Sequence, residues 1–219
     1  MTGDAAMRGA PSQGLLDRFY PIVPDVAWLR RLAPLGIRTV QLRIKDAPRD
    51  RVVREIEESV AVARHYRLQL IVNDYWREAI AGGATFVHLG QEDLAAADVG
   101  EIRAAGLRLG ISTHDESELE AALDAGPDYV ALGPIYATKL KAMPWSPQGL
   151  AAVRRWKERI GALPLVGIGG ITPERAPDVL AAGADSVAVI TDFLTHSAPE
   201  ARVRSWVLWA QNAVAGSVN

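Results

Sequence analysis

The residues L-G-I-R-T-V-Q-L at positions 35–42 carry the pattern that decides the fold: a glycine, a valine four residues later, and an apolar residue two positions further on. The pattern returns as G-G-A-T-F-V-H-L at 82–89, A-G-P-D-Y-V-A-L at 125–132 and A-G-A-D-S-V-A-V at 182–189. A glycine that ends a helix, followed by a short alternating strand, is typical of a helix-to-strand junction in a β/α protein.

The spacing of these junctions predicts the number of strands. One strand, one helix and their loops take roughly 25 residues, so each interval between the glycines holds two β/α units. Eight units make a single (β/α)8 TIM barrel, the α/β fold that we predict. The predicted strands are 19–23, 39–43, 70–73, 86–89, 108–112, 129–132, 165–168 and 186–190.

Composition limits the kinds of partner and chemistry. The 219 residues carry a net charge of −2, which argues against nucleic acid or an anionic membrane as a partner. The chain has no cysteine, which excludes disulfides, thiolate nucleophiles and zinc–thiolate sites. No apolar run approaches the ~20 residues that span a bilayer, and no signal-peptide core is present. We therefore expect a cytoplasmic protein that acts on small molecules, with its oligomeric state left open and a homo-oligomer compatible with the sequence.

The chain shows no linker or shift in composition that would divide it. We expect one barrel domain over residues 15–215, preceded by a disordered tail over 1–14 that is rich in small and polar residues. The longest irregular stretch, 133–149, follows the sixth strand. A loop of this length in a compact barrel is usually functional. The last segment, 199–213, has apolar residues at helical spacing and is predicted to dock on the barrel.

Strand alternation predicts which side chains face the barrel interior. If the repeated valine and leucine positions pack under the helices, the residues between them point inwards. These are Gln41, His88, Ala131 and Ala188. The two polar side chains need partners inside the barrel, and the two alanines leave room for a small ring.

Two aspartates follow neighbouring strands at the end of the barrel where active sites form. Asp74 comes after strand 3 and Asp93 after strand 4. A carboxylate pair without cysteine or histidine at ligand spacing suits Mg²⁺, which proteins usually hold by one or two carboxylates plus substrate phosphates. The alternative is that Asp74 caps the helix beginning at 75 and Asp93 lies in an ordinary turn. Spacing alone leaves both open.

Two groups of residues at the same end of the barrel indicate anion binding. Arg43, Lys45 and Lys141 converge from the loops after strands 2 and 6, and gathered cations favour an oligophosphate. Gly169 and Gly170 follow strand 7, where barrels commonly bind a phosphate together with the loop after strand 8. The sequence therefore predicts one metal-bridged anion site and one monophosphate site, the second completed by Ile190 and Thr191.

Seven ordered motifs resemble the thiamine phosphate synthase (thiamine-phosphate pyrophosphorylase) family. They are Q-L-R-I-K-D, N-D-Y-W, V-H-L-G-Q-E-D-L, G-I-S-T-H-D, T-K-L-K-A-M-P-W-S-P-Q-G-L, G-I-G-G-I and S-V-A-V-I-T. The resemblance runs from about Phe19 to Ile190. It implies a transferase that joins 4-amino-2-methyl-5-hydroxymethylpyrimidine diphosphate to hydroxyethylthiazole phosphate. The products would be thiamine phosphate and pyrophosphate, and the cofactor Mg²⁺.

The resemblance also implies roles for individual residues. Asp74 and Asp93 would ligate Mg²⁺, and Tyr20 and His88 would lie with Gln41 against the pyrimidine ring. The pyrimidine diphosphate would be held by Gln41, Leu42, Arg43, Ile44, Lys45, Asn73, Ser112 and Lys141. The thiazole phosphate would be held by Thr138, Lys139, Leu140, Gly170, Ile190 and Thr191. As catalytic groups we expect Arg43, Lys45 and Lys141 to stabilise the departing pyrophosphate, with Ser112 donating to it.

The chain departs from the family pattern after strand 6. The family usually has a second threonine where this chain has Leu140, so one hydroxyl donor to the thiazole phosphate is missing. One neutral hydrogen bond contributes about 0.5–1.5 kcal/mol, which predicts weaker thiazole binding rather than loss of activity. Two alternatives to the synthase are a thiazole tautomerase, in which His114 would move protons, and a non-catalytic sensor of a thiamine precursor.

Overall fold

The computed structural model describes residues 15–138 and 145–215, and within them eight parallel strands close into a barrel. Each strand pairs with the next, and the last pairs with the first. The strands are β1 (Phe19–Val23), β2 (Thr39–Leu42), β3 (Gln69–Asn73), β4 (Phe86–Leu89), β5 (Arg108–Thr113), β6 (Tyr129–Leu132), β7 (Leu165–Ile168) and β8 (Ser186–Val189). The predicted α/β (β/α)8 fold is confirmed.

Helices alternate with the strands along the chain. They are α1 (Val26–Leu32), a short 3-10 turn (Ala33–Leu35), α2 (Arg49–Tyr66), α3 (Trp76–Ala81), α4 (Gln91–Ala96), α5 (Val99–Ala104), α6 (Glu116–Asp124), α7 (Gly149–Ile160), α8 (Ala176–Ala181), α9 (Thr191–Leu194) and α10 (Pro199–Ala215). Across the described ranges, no helix has the length and apolar character that a membrane crossing requires.

The repeated glycines end helices, as predicted. Gly126 and Gly183 have φ angles of 63° and 114°, in the left-handed region that a residue with a Cβ rarely adopts. Gly36 and Gly83 also have positive φ. The predicted strands overlap all eight observed ones, but some ends differ by a residue; β2, for example, ends at Leu42 rather than at 43. These ends depend on hydrogen bonds to the neighbouring strands, so they cannot be predicted from the residue pattern of one strand alone.

Strand alternation separates the core into two layers, as predicted. The repeated apolar positions, including Val40, Val87 and Val130, pack in an outer layer between the sheet and the helices. Residues that point the other way form an inner cluster with Tyr20, Ile71, Phe86, Tyr129, Ala131 and Ala188. The interior is therefore packed near its base, and the site must lie above this packing, at the carboxyl ends of the strands.

The last helix closes the molecule against the first strand. Val203 and Trp206 of α10 are fully buried, and Ala210 is nearly so. The Trp206 ring stacks on Phe19 of β1, with ring centroids 5.1 Å apart and planes within 4° of parallel. The predicted docking of this helix on the barrel is therefore observed.

Candidate active site

A cavity of about 530 Å³ opens at the carboxyl ends of the strands. Every β-strand or the loop that follows it contributes lining residues, since the barrel directs all eight ends to the same mouth. Thirteen of the predicted site residues line it: Tyr20, Gln41, Arg43, Lys45, Asn73, Asp74, His88, Asp93, Ser112, Thr138, Gly170, Ile190 and Thr191.

A continuous chain of hydrogen bonds, buried except at its Ser112 end, runs along and beneath the floor of the cavity. Gln41 Nε2 donates to the Tyr20 hydroxyl (2.8 Å), which lies 2.9 Å from the Tyr129 hydroxyl. The Tyr129 oxygen lies 2.7 Å from His88 Nδ1. On the other side of the imidazole, His88 Nε2 lies 2.8 Å from Ser112 Oγ. Gln41 and His88, the polar side chains predicted to need partners inside the barrel, thus each bond to a buried tyrosine.

The titratable side chains in this series of hydrogen bonds, His88, Tyr20 and Tyr129, are held in their neutral forms. Burial, and then the positive charge of Arg43, lower the pKa of His88 to about 3. Burial also raises the pKa of Tyr20 and of Tyr129 far above the ordinary tyrosine value. At neutral pH the floor therefore carries hydrogen-bond donors and acceptors but no net charge. Such a surface suits the recognition of a polar, uncharged ring.

The two predicted metal ligands meet at the mouth of the barrel. The carboxyl groups of Asp74 and Asp93 lie within hydrogen-bonding reach of each other. Burial, and then the neighbouring Asp93, raise the pKa of Asp74 to about 6. Arg43 acts in the opposite direction, which places its charge close to the pair. The site thus brings a partly buried carboxyl group, that of Asp74, together with the exposed one of Asp93, and a cation between them would be stabilised.

The alternative roles for these aspartates do not match the structure. The residue that caps α3 is Tyr75, and among the described residues no side chain caps that helix by a hydrogen bond. Asp74 instead adopts a left-handed conformation, with φ of 65°, directly after β3. Asp93 lies in the first turn of α4 rather than in a loop.

On the side of the cavity formed by β7 and β8, a turn of two glycines forms part of the wall, beside Ile190, Thr191 and Asp192. Gly169 and Gly170 have φ angles of 97° and 65°. A Cβ at Gly170 would lie 2.6 Å from the carbonyl oxygen of Ala137, so only glycine fits. The Tyr136 N–H donates to the Gly169 carbonyl (3.0 Å), which ties the loop after β6 to this turn. Close packing therefore keeps the backbone at the cavity wall.

Comparison with known proteins decides the family. A family profile described as thiamine monophosphate synthase matches residues 19–193. The chain belongs to this family. The thiamine-phosphate synthase of Rhizobium etli is 57% identical over 192 residues, which cover 88% of this chain and 94% of that one. The thiamine-phosphate synthase of Photorhabdus laumondii is 51% identical, over 83% of this chain and 84% of its own.

A solved structure of the same family has the same architecture. The thiamine phosphate pyrophosphorylase from Pyrococcus furiosus is 26% identical in sequence, with a TM-score of 0.78. The similarity covers 89% of this chain and 96% of that one. The recognition made from seven sequence motifs is thus confirmed by independent comparisons of sequence and of structure.

Five residues that the family resemblance predicted for substrate binding are not among the residues seen to line the cavity. The side chains of Leu42 and Ile44 pack in the outer core of this thiamine monophosphate synthase family member, and neither residue is among those that line the cavity. Lys139, Leu140 and Lys141 lie outside the described residues. The effect of Leu140 on thiazole binding therefore stays a prediction.

Sequence reasoning missed Tyr129, the centre of the hydrogen-bond chain in this family member. It did place Ala131 inwards, and the same alternation puts Tyr129 on the same face. Gly110 of β5, paired with Tyr129 in register, was the other signal, since a Cβ at Gly110 would overlap the Tyr129 ring. His114, considered before only for a tautomerase, lines the cavity, stacks on Trp145 at 5.1 Å and contacts Glu118.

Proposed function

We propose that this chain joins 4-amino-2-methyl-5-hydroxymethylpyrimidine diphosphate to hydroxyethylthiazole phosphate, giving thiamine phosphate and pyrophosphate. One observation carries the proposal: a single cavity is lined by two sets of anion-binding groups with a neutral polar floor between them. Arg43 and Lys45, beside an aspartate pair that would hold a cation, form one set, and the glycine turn with Ile190 and Thr191 forms the other. A reaction between two phosphorylated substrates requires two separate anion sites in one cavity.

The proposed chemistry is a substitution at one carbon. The thiazole nitrogen supplies an electron pair to the pyrimidine methylene, the bond from that carbon to the diphosphate oxygen breaks, and pyrophosphate leaves with the bonding electrons. An aminopyrimidine can carry positive charge that develops on the methylene, so the protein must chiefly position the reactants and stabilise the leaving group.

We assign leaving-group stabilisation to Arg43, Lys45 and Lys141, with Ser112 as a hydroxyl donor. Arg43 and Lys45 line the cavity beside Asp74 and Asp93. Ser112 Oγ is oriented by its contact with His88. A neutral His88 makes it a positioning residue rather than a general acid at physiological pH. Asn73, also at this wall, is assigned to the pyrimidine diphosphate.

We assign the thiazole phosphate to the opposite wall. Backbone N–H groups of a glycine turn can approach a phosphate closely, as the turns after strands 7 and 8 do in many barrels. Gly170, Ile190 and Thr191 line this wall, and Thr138 faces the same cavity from the β6 loop. The pyrimidine ring would rest on Gln41, Tyr20 and His88.

The residues at the mouth fit Mg²⁺, the cofactor of the proposed reaction. Two carboxylates in mutual contact, one with a pKa raised to about 6, are stabilised by a cation. Within the described ranges, no group of three or more histidine, cysteine or acidic side chains forms a complete protein cage. Two carboxylates completed by water and phosphate oxygens are the usual arrangement for Mg²⁺. When bound, the ion supplies positive charge to the diphosphate oxygens.

Pyrophosphate release from the two substrates tests the proposed function. We expect release only when both substrates and Mg²⁺ are present. Asp93→Asn should shift the Mg²⁺ concentration for half-maximal rate upwards by about tenfold or more. Glu92→Gln is the matched control, because it removes a carboxylate from the neighbouring exposed position in the same turn of α4. No release by wild-type protein would overturn the proposal, and equal metal titrations of the two variants would overturn the metal assignment.

The two alternatives gain no support from the relatives, since the curated proteins compared above are named synthases. A sensor would bind both substrates without releasing pyrophosphate, so the same assay separates it from the synthase. A tautomerase would act on the thiazole alone. The cytoplasmic location and a homo-oligomeric state stay predictions from the sequence.

A further inference from the structure

Asp192 places a carboxylate beside the proposed thiazole-phosphate site. It follows Thr191 directly and lines the same cavity. A carboxylate next to a bound phosphate repels it, and in a partly buried site this repulsion is screened only weakly by water. The charge of Asp192 must therefore be compensated if the neighbouring backbone is to bind an anion.

Helix α10 supplies that compensation. Arg202 Nε donates to Asp192 Oδ2 (2.7 Å) and Arg202 Nη2 donates to Oδ1 (2.8 Å). Trp206 Nε1, one helical turn further on, also donates to Oδ2 (2.8 Å). The Asp192 side chain is 13% exposed and that of Arg202 is 22% exposed. A forked, largely buried contact of this kind fixes orientation as well as neutralising charge.

The Arg202 guanidinium also reaches the other half of the proposed phosphate site. Its Nη2 lies 3.9 Å from the Glu174 carboxylate, in the segment after β7. A hydrogen bond from Thr172 is the largest cause of the lowered pKa of Glu174, so Glu174 is tied to the turn that follows Gly170. Arg202 therefore contacts the segments after both β7 and β8, and the stacking of Trp206 on Phe19 anchors it to the core.

We propose that Arg202 is a positioning residue for thiazole-phosphate binding, which neutralises Asp192 and holds the turn after β8 in the conformation that accepts the phosphate. This inference rests on the proposed function. Arg202 belongs to α10 and lies beyond residue 193, where the match to the family profile ends.

A rescue experiment tests this role. Calorimetry of the whole protein would measure the binding of hydroxyethylthiazole phosphate and of the pyrimidine diphosphate separately. Arg202→Met should weaken thiazole-phosphate binding by about tenfold and leave pyrimidine-diphosphate binding unchanged. Adding Asp192→Asn to Arg202→Met should restore most of the loss, because the uncompensated charge is then gone while Trp206 still has an acceptor. Arg204→Met, an exposed position on the same helix, is the matched control and should bind both substrates normally.

Each outcome decides the question. Equal weakening of both substrates, or a double variant no better than Arg202→Met, would mean that Arg202 acts only on general stability, and the inference would be overturned. If Arg202→Met does not fold, Arg202→Lys keeps the charge without the fork and should weaken only thiazole-phosphate binding. Wild-type protein that binds both substrates but releases no pyrophosphate would overturn the proposed function and leave this comparison valid. Wild-type protein that binds no thiazole phosphate would overturn both.

Discussion

Asp74 combines a left-handed backbone conformation with a carboxyl group of raised pKa. Its φ of 65° lies in the left-handed region, and its N–H donates to the carbonyl of His88 on the neighbouring strand β4 (2.9 Å). This conformation turns the chain sharply at the end of β3 and aims the carboxyl group at Asp93. The cost of the conformation, of order 1–3 kcal/mol, is typical of residues at functional sites.

The raised pKa of Asp74 predicts how the stability of the folded protein changes with pH, and unfolding measurements can check the direction of that change. Because the folded-state pKa of about 6 lies above the usual aspartate pKa of 3.8, the native state holds the proton more tightly than the unfolded chain. Ionisation of Asp74 therefore costs stability as the pH rises from about 4 through 6, and the cost persists at neutral pH. Asparagine removes the charge and tolerates the left-handed conformation.

We therefore predict that Asp74→Asn stabilises the metal-free protein at pH 7.5. The expected gain is about 1 kcal/mol, since solvent screens a group that is not fully buried. The gain should shrink as the pH falls below 6 and vanish near 4. Urea unfolding with EDTA at several pH values measures it, and adding Mg²⁺ should stabilise only the wild type. An equal effect of Asp74→Asn at all pH values would contradict the assignment.

At the scale of elements, the segments after β6 and β7 pack backbone against backbone. The Ile135 N–H donates to the Ile168 carbonyl (2.8 Å), and the Tyr136 N–H donates to Gly169. This contact requires the absence of a side chain at Gly170. The wall of the cavity here is therefore made by two connecting segments whose spacing depends on glycine.

Gly170→Ala and Gly126→Ala form a matched pair that isolates this packing. Both glycines have nearly the same φ, 65° and 63°, so alanine costs each about 1–2 kcal/mol of backbone strain. Apart from its neighbours in the chain, no described atom lies within 4 Å of a Cβ at Gly126, whereas at Gly170 the Ala137 carbonyl would be displaced. We expect both variants to lose stability in urea unfolding but only Gly170→Ala to lose thiazole-phosphate binding by calorimetry. Normal binding of thiazole phosphate by Gly170→Ala would show that the binding does not depend on the close packing at Gly170.

At the scale of the whole molecule, residues just before β1 close the amino-terminal end of the barrel. Leu16 packs in the inner cluster and is 9% exposed. The Asp17 N–H donates to Thr39 Oγ1 (3.0 Å), and the Asp17 carbonyl accepts from Ser186 Oγ (2.6 Å). These contacts join β2 and β8 on either side of β1. The barrel domain therefore begins before its first strand.

Two truncations test the domain boundary predicted at residue 15. Removal of residues 1–14 should leave the melting temperature and the rate of pyrophosphate release unchanged. Removal of residues 1–17 also deletes Leu16, whose burial contributes about 2 kcal/mol, and should lower the melting temperature by roughly 4 °C or more. A large effect of the shorter truncation would show that the tail belongs to the folded domain.

The amino-acid sequence is enough to predict the barrel, the face on which each strand residue lies, and the residues around the mouth. These features depend on local rules: glycine ends a helix, strands alternate, and parallel strands direct their carboxyl ends to one side. Gln41 and His88 could be placed inside the barrel for that reason. Asp74 and Asp93 could be placed at one end, although their contact could not be derived.

Which of these side chains are in contact depends on the folded barrel. Tyr20 and Tyr129 are 109 residues apart in sequence, and their hydroxyls meet only because the closed sheet brings β1 and β6 towards one another. The fork from Arg202 to Asp192 likewise depends on how α10 docks. Alternation along a strand specifies a direction, whereas a hydrogen bond of 2.9 Å also requires register, strand tilt and closure. Those quantities belong to the assembled barrel and to no single segment of the chain.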